Sequence, residues 1–270
     1  MARMSFLAEL GRHLADPESH TLRRVLTGLW ALSILGVLVL VGQMSFSDGA
    51  HARQVRTHET LADYAMPAGL SFMSQYVDAS LGMGYGTSLT ALLVMMGFSV
   101  REVVIAVLVQ QLIAGGLAAI MHHALGNADM RPGHFHFKLA MVLGTVAIVG
   151  SFLAASLAVS LPERTLDSAL GAVILAMGLI IFIARRIHMQ FSWWRAGILG
   201  LIAGANKGFM GGGYGPLVVA GQVISGDTMR HVVAVTAASE ALSCVGGVAG
   251  YLLMGVTIPW MLTGSLVLGG

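Results

Sequence analysis

Five long apolar runs limit this chain to a helical fold inside a membrane. The runs cover residues 25–42, 102–125, 138–161, 168–184 and 229–256. As a helix, each run can cross a hydrocarbon layer of about 30 Å. The composition agrees, because 56% of the residues are hydrophobic and only 10% are charged, which is far from the balance of a soluble domain. The sequence therefore predicts an all-α integral membrane protein, a polytopic helical bundle.

The charge balance and the cysteine count exclude two classes of protein. The formal net charge is +2, and the basic residues are spread thinly between apolar runs, so no nucleic-acid partner is predicted. A single cysteine, Cys244, excludes an intramolecular disulfide framework. The run at 25–42 is followed by Ala50-His51-Ala52, which resembles a signal-peptide cleavage site. Because the gap between them is wide, the run is interpreted as an uncleaved anchor helix.

Two further apolar stretches, 61–99 and 195–226, carry matching glycine clusters. At an offset of 129 residues, Gly82-Met83-Gly84-Tyr85-Gly86 aligns with Gly211-Gly212-Gly213-Tyr214-Gly215 without a gap. In that register, ten of the 23 positions from Gly82 to Val104 are identical. This match predicts an internal duplication, as in many transporters.

The duplication sets the predicted domain organisation. The predicted units are an N-terminal segment with the anchor helix and a polar loop at 1–65, a first transporter repeat at 66–194, and an incomplete second repeat at 195–270. Either the second copy has lost its end or the chain is part of a longer protein, and the second interpretation is preferred. If each glycine-rich stretch enters and leaves the membrane on the same side, ten basic residues lie inside and four outside. If each stretch crosses the membrane, seven lie on either side. The bias favours inverted repeats with glycine-broken or re-entrant helices.

The duplicated glycine clusters predict a polar cavity near the middle of the membrane. Unwound backbone is tolerated there only where it is packed in protein or lines a cavity. Thr87-Ser88 and Pro216 follow the two clusters and suit the first turn of a new helix. Two such helix N-termini would direct amides and positive dipole ends at one place, which is typical of an anion site. The alternative is that the glycines are packing notches between helices.

The predicted site combines the two glycine clusters with neighbouring polar residues. The predicted substrate-binding residues are Gly82, Gly84, Tyr85, Gly86, Thr87, Ser88, Asn206, Lys207, Gly211, Gly212, Gly213, Tyr214 and Gly215. An ammonium at membrane depth needs a partner or a solvated cavity, and Lys207 aligns with Asp78, so an ion pair that opens for the incoming anion is predicted. Coupling or gating roles are predicted for Asp78, Gln110, Gln111, Ser239 and Glu240. Glu240 either carries a coupling proton or makes interhelical hydrogen bonds.

Four histidines, His122, His123, His134 and His136, lie close to Asp129 in the sequence. Histidines at short spacing can ligate a metal, but loop histidines without fixed geometry are commoner. No metal site and no cofactor are therefore predicted.

The two glycine clusters resemble those of the TauE/SafE sulfite exporter family of anion permeases. The resemblance extends over Pro67 to Gly270, and the cluster GGGYGP of the second copy is the closer match. In the first copy, Met83 replaces the middle glycine, and Thr87 stands where the second copy has proline. The resemblance implies a transporter of the bacterial inner membrane that moves sulfite, sulfonates or related small anions and is coupled to an ion gradient, of protons or sodium.

Two other classes of function are compatible with a polytopic helical bundle. One is an integral-membrane enzyme, but no Ser-His-Asp or Cys-His arrangement lies at membrane depth in the sequence. The other is a structural membrane subunit, in which two glycine-broken elements would have no purpose. The predicted partners are thus a small anion, the lipid bilayer and a coupling ion, and assembly into a homo-oligomer is compatible with the sequence.

Overall fold

The structure, a computed structural model, describes residues 61–184 and 190–270. The predicted anchor helix at 25–42 lies outside the described residues. Within them the chain is helical and has no strand, which confirms the predicted fold class. After a short 3₁₀ helix, Leu61–Tyr64, the described α-helices are α1 (Ala65–Leu81), α2 (Tyr85–Met95), α3 (Val100–Ala124), α4 (Phe135–Ser160), α5 (Glu163–Ala184), α6 (Trp193–Met210), α7 (Tyr214–Ile224), α8 (Met229–Leu253) and α9 (Trp260–Gly269).

Three of the described helices, α3, α4 and α8, are long and apolar enough to cross a bilayer. They coincide with the predicted runs at 102–125, 138–161 and 229–256. Large apolar side chains such as Ile120, Leu153 and Leu253 lie on their outer surfaces. In a membrane such a surface contacts lipid tails, which are as apolar as leucine.

The helix boundaries repeat along the chain. The helices α2 and α7 have 11 residues each, and α3 and α8 have 25 each. The starts of the first pair, Tyr85 and Tyr214, and of the second pair, Val100 and Met229, are both 129 residues apart. The predicted duplication would explain this agreement, and both the duplication and the inverted orientation of the two copies stay predictions.

The two predicted repeats exchange helices. The helix α4, from the first repeat, packs most extensively against α6 and α8 of the second. The helix α9, from the second repeat, packs instead against α1 and α3 of the first. The core is therefore continuous across both predicted repeats.

Glycines allow α6 to lie directly on the backbone of α4. Three glycines of α6 recur every fourth residue and face carbonyl groups of α4 so closely that a Cβ would overlap or crowd the oxygen. The pairs are Gly200 with Leu143, Gly204 with Ala147, and Gly208 with Ser151. Lines of small residues at this spacing are typical of close helix contacts in membranes. Glycines outside the two clusters thus allow close packing of α4 and α6.

We expect Gly204→Ala to lower the melting temperature of the purified protein. The new methyl group would overlap the Ala147 carbonyl of α4, and overpacking of this kind costs about 1–3 kcal/mol. The matched control is Gly197→Ala in the same helix, because a Cβ there has no neighbour within 4 Å and alanine is the better helix former. Equal melting temperatures for the two variants in detergent would contradict the contact between α4 and α6.

Candidate functional site

Both predicted glycine clusters interrupt a helix. The first break separates α1 from α2, and the second separates α6 from α7. Each break contains two glycines in the left-handed region, with φ of 72° at Gly82, 115° at Gly84, 71° at Gly211 and 79° at Gly213. Other residues rarely adopt these angles. The breaks therefore depend on glycine at these positions.

The two breaks are in direct contact. A Cβ on Gly86 would overlap the carbonyl group of Gly211, and a Cβ on Gly212 would overlap the amide of Thr87. The amide of Gly213 donates a 2.8 Å hydrogen bond to the Thr87 hydroxyl oxygen. The backbones can approach this closely because neither Gly86 nor Gly212 has a side chain. The contact brings the N-terminal ends of α2 and α7 together.

Contacts around the breaks are reciprocal at the offset of 129 residues. In two sets of contacts, residues that face each other have equivalents 129 positions away that also face each other. The reciprocal pairs are Gly82 with Val233 and Gly211 with Val104, and Gly86 with Gly212 and Gly215 with Met83. Reciprocal contacts of this kind arise between parts that are related by a two-fold axis.

A buried ion pair lies next to the second break. Lys207, near the end of α6, is 0% exposed, and its Nζ lies 2.6 Å from Oε1 of Glu240 in α8. The prediction that Lys207 pairs with Asp78 is therefore wrong. Asp78 instead accepts a 3.0 Å hydrogen bond from the amide of Tyr85, at the start of α2. The physical reason is that the first break offers Asp78 a free amide, whereas α8 packs against α6 and presents a carboxylate to Lys207.

Asp78, Lys207 and Glu240 nevertheless form one electrostatic unit, which we call the central charge group. Asp78 lies close enough to interact electrostatically with both other members. The group contains two carboxyl groups and one ammonium group. If both carboxyl groups were ionised, the group would carry one net negative charge in a low-dielectric environment, which is unfavourable.

The two breaks differ in the side chain that lies before the new helix. Neither α2 nor α7 receives a side-chain cap from its N-cap residue, Gly84 or Gly213. At α2 the carboxylate of Asp78 accepts a hydrogen bond from the amide of Tyr85, the first residue of the helix. The equivalent residue before α7 is Lys207, and an ammonium cannot accept a hydrogen bond. In the described part of the chain, no carboxylate bonds to the first amides of α7, so the positive end of its dipole is free to attract an anion.

A small cavity lies beside the contact between the breaks. It is lined by residues of the two breaks and of α6, and by Leu170, Val173 and Ile174 of α5, which we call its apolar wall. The residues of the breaks and of α6 are Thr87, Asn206, Met210, Gly212 and Gly213. The cavity has room for about one water molecule. Nδ2 of Asn206 is buried against Gly213 and has no hydrogen-bond partner among the described residues. The open surface of the cavity is therefore apolar, and the unpaired Nδ2 of Asn206 is buried behind it.

The apolar wall contains residues that the sequence analysis missed. Leu170, Val173 and Ile174 belong to α5, whose sequence was interpreted only as a membrane-spanning run. Their spacing of three and four residues places them on one helix face, which was the available signal. No sequence pattern indicated that this face would lie against the glycine breaks.

The remaining predicted residues lie in the same region or in neighbouring helices. The rings of Tyr85 and Tyr214 are buried, and the Tyr85 hydroxyl lies 2.7 Å from the Ser71 hydroxyl. The amide of Ser88 donates to the Gly84 carbonyl. These residues shape the two helix starts, and their contacts are internal to the protein.

Of the predicted coupling residues, Asp78 lies in α1 at the first break, and the other four lie in α3 and α8. Gln110 donates a 3.2 Å hydrogen bond to the Gln75 side chain of α1, and Gln111 is buried beside it in α3. Ser239 donates to the carbonyl of Val235 within α8. Only Glu240 is brought to the second break, through its ion pair with Lys207.

The loop histidines do not act together. His134 lies 3.3 Å from the Asp129 carboxylate, and the Arg131 amide, which donates to that carboxylate, holds its pKa below the usual range. His136, in contrast, lies 3.6 Å from Asp227. The histidines that are close in sequence are thus divided between two surroundings.

We expect the removal of one member of the ion pair to destabilise the protein more than the removal of both. Lys207→Met and Glu240→Met each leave a buried charge without its partner, which typically costs about 3–5 kcal/mol. The double variant removes both charges and should regain a large part of that loss. Thermal unfolding of the four proteins in detergent gives the coupling energy.

Asp78→Asn is the control for this cycle, because it leaves the ion pair intact and keeps an acceptor for the Tyr85 amide. It should be milder than either single variant. Strictly additive effects of Lys207→Met and Glu240→Met would show that the two side chains do not interact.

The chain matches known membrane transporters. The family model of the sulfite exporter TauE/SafE matches residues 68–270. Two relatives from Bacillus subtilis (strain 168) are named probable membrane transporter proteins, YtnM and YdhB. YtnM is 28% identical over 216 residues, which cover 75% of this chain and 69% of YtnM. YdhB is 28% identical over 151 residues, which cover 52% of this chain and 62% of YdhB.

No solved structure matches the chain. The matched family and both relatives are transporters rather than enzymes.

Proposed function

Because the chain belongs to the TauE/SafE sulfite exporter family of membrane transporters, we propose that it carries a small oxyanion such as sulfite or a sulfonate. We place it in the bacterial inner membrane as a multi-pass protein. The observation that carries the proposal is the second glycine break. There a helix N-terminus without a carboxylate cap lies beside a buried lysine.

The second break supplies three kinds of donor for an oxyanion. The free end of α7 attracts negative charge, Nδ2 of Asn206 has no protein partner among the described residues, and Lys207 supplies a positive charge. Hydrogen bonds from charged groups to an oxyanion are strong, and helix N-termini commonly bind oxyanions. The first break is less suitable, because the carboxylate of Asp78 already lies at its helix start and repels anions. We therefore assign the anion to the α7 side of the contact.

Transport requires this region to open. The cavity beside the breaks has room for about one water molecule, which is less than an oxyanion needs. The two breaks that border it are held together by backbone contacts. The apolar wall of Leu170, Val173 and Ile174 belongs to α5, which packs against α3 and α7 with small contact regions. Movement of α5 away from the breaks is thus the simplest way to admit an anion.

The central charge group suggests how an ion gradient is coupled to transport. Glu240 and the incoming anion compete for the same ammonium group of Lys207. A proton on Glu240 would remove this competition and would also remove the net negative charge of the group. We therefore assign the proton as the coupling ion, bound by Glu240 while Lys207 holds the anion. Sodium would act differently, because it would need several oxygen ligands around the carboxylates.

The reciprocal contacts support a duplicated architecture with two-fold symmetry for residues 66–194 and 195–270. We adopt the inverted arrangement, because the positive charges of the sequence favour it. In such transporters, the substrate site lies where the broken helices of the two repeats meet.

We expect Lys207→Met to weaken the binding of sulfite by about 10- to 100-fold, because a hydrogen bond to a charged group contributes about 1.5–3 kcal/mol. Binding is measured by the thermal stabilisation of purified protein with sulfite, sulfate, thiosulfate and a small sulfonate. Flux of labelled sulfite into proteoliposomes is measured in parallel and expressed per folded protein. Recovery of chemically unchanged sulfite separates transport from an enzyme activity.

The matched control is Lys138→Met, which removes the other lysine of the chain, an exposed residue in α4. It should leave binding and flux unchanged. Sulfite uptake at the wild-type level by folded Lys207→Met protein would refute the assigned anion site.

We expect Glu240→Gln to uncouple transport from the pH gradient. Glutamine keeps an acceptor for Lys207 but cannot bind or release the proton. Wild-type proteoliposomes should accumulate sulfite when a pH gradient is applied, and the variant should only equilibrate it. A variant that still responds to the gradient like the wild type would exclude Glu240 as the proton carrier and would leave the anion site to be judged by Lys207→Met.

A further inference from the structure

Three metal-ligand side chains meet where α4 and α8 begin. His136 lies in the first turn of α4, His231 lies in the first turn of α8, and Asp227 lies in the connection between α7 and α8. Their ligand atoms all lie within 4.8 Å of one another. Nε2 of His136 is 3.6 Å from Oδ2 of Asp227, and Nδ1 of His231 is 3.0 Å from Oδ1. Two imidazoles and a carboxylate thus converge from three separate parts of the chain.

The carboxylate of Asp227 has one oxygen that hydrogen bonds do not satisfy. Oδ1 accepts from the Thr228 amide at 2.8 Å and lies 3.0 Å from His231. Oδ2 is buried and has no hydrogen-bond partner within residues 61–184 and 190–270. His136 is its neighbour at 3.6 Å, which is too long for a hydrogen bond. A buried carboxylate oxygen without a partner is unfavourable, and a cation between these groups would satisfy it.

The spacing of the ligand atoms suits a tetrahedral zinc site. Zinc lies about 2.0–2.2 Å from nitrogen and oxygen ligands, so neighbouring ligand atoms of a tetrahedral site are about 3.3–3.5 Å apart. The distances of 3.0 Å from His231 to Oδ1 and 3.6 Å from His136 to Oδ2 lie on either side of that range, and the ligand atoms of the two histidines lie within 4.8 Å of each other. The side chains of His136 and Asp227 are each 19% exposed, and that of His231 is 37% exposed. The group is therefore partly buried and can still be reached by an ion from solution.

The two imidazole rings lie close together. Their centroids lie 4.1 Å apart with an angle of 41° between the ring planes. Each neutral imidazole has one nitrogen lone pair, so the two rings can supply two ligands to the same cation.

We propose that His136, Asp227 and His231 bind one divalent transition-metal ion of the zinc type, with water as the fourth ligand. Imidazole with a carboxylate suits zinc, cobalt and related ions, and three protein ligands leave one position open. The ion would hold the connection that follows α7 against the start of α4. Because α7 begins at the second glycine break, the metal would restrain the far end of that helix. This proposal stands independently of the transported substrate.

The test uses full-length protein that carries an affinity tag without histidine, freed of metal by a chelator and then titrated with Co²⁺. Tetrahedral Co²⁺ has a visible absorption band, and metal analysis after gel filtration gives the stoichiometry. We expect the wild type to hold one Co²⁺ per chain at this site and to be stabilised against heat by Zn²⁺. His136→Gln, Asp227→Asn and His231→Gln should each weaken Co²⁺ binding at least tenfold and remove the stabilisation by Zn²⁺.

The matched control is His134→Gln, because His134 lies two residues from His136 but pairs with the exposed Asp129. It should bind Co²⁺ like the wild type. Gel filtration and circular dichroism establish that each variant is folded. Equal Co²⁺ stoichiometry and equal stabilisation by Zn²⁺ in wild type and folded His231→Gln would overturn the proposal, as would equal losses in His134→Gln and His136→Gln. If His136→Gln or His231→Gln does not fold, Asp227→Asn decides by the same two measurements.

Discussion

The backbone contact between the two glycine breaks is the constraint on which the rest of the described structure depends. Backbone amides inside a membrane must be bonded within the protein, and a broken helix exposes several of them. Here the Gly213 amide of the second break donates a hydrogen bond to Thr87 of the first. Within the first break, the Tyr85 amide donates to the carboxylate of Asp78. The contact positions the starts of α2 and α7, and through them the cavity and the central charge group.

The helices and the breaks were predictable from the sequence because each depends on a local property. Helices α3, α4 and α8 follow from the length of uninterrupted apolar sequence. The breaks follow from glycine, since the φ of 115° at Gly84 and 79° at Gly213 are rarely open to other residues. The repetition of the cluster along the chain identified both breaks together. The two breaks are in contact, and their role as one binding site stays a prediction.

The partners of charged and polar side chains were not predictable, because they depend on how helices are rotated against each other. Alignment of Lys207 with Asp78 suggested that the two would meet, but residues at equivalent positions of two predicted repeats need not be neighbours in space. Lys207 instead reaches Glu240 of α8. The sequence also suggested that His136 belongs with the histidines that are near it along the chain. Its contacts are with Asp227 and His231, which lie far away in sequence and are brought near only by the packing of α4 on α8.

The exchange of helices between the two predicted repeats has a consequence for synthesis of the protein. The chain emerges from its N-terminal end, so α4 enters the membrane before α6 and α8, the helices against which it packs. Until they arrive, the glycine and alanine positions of α4 that later contact other backbones must face lipid or provisional neighbours. The first half therefore cannot complete its core until α6 and α8 have been synthesised and inserted.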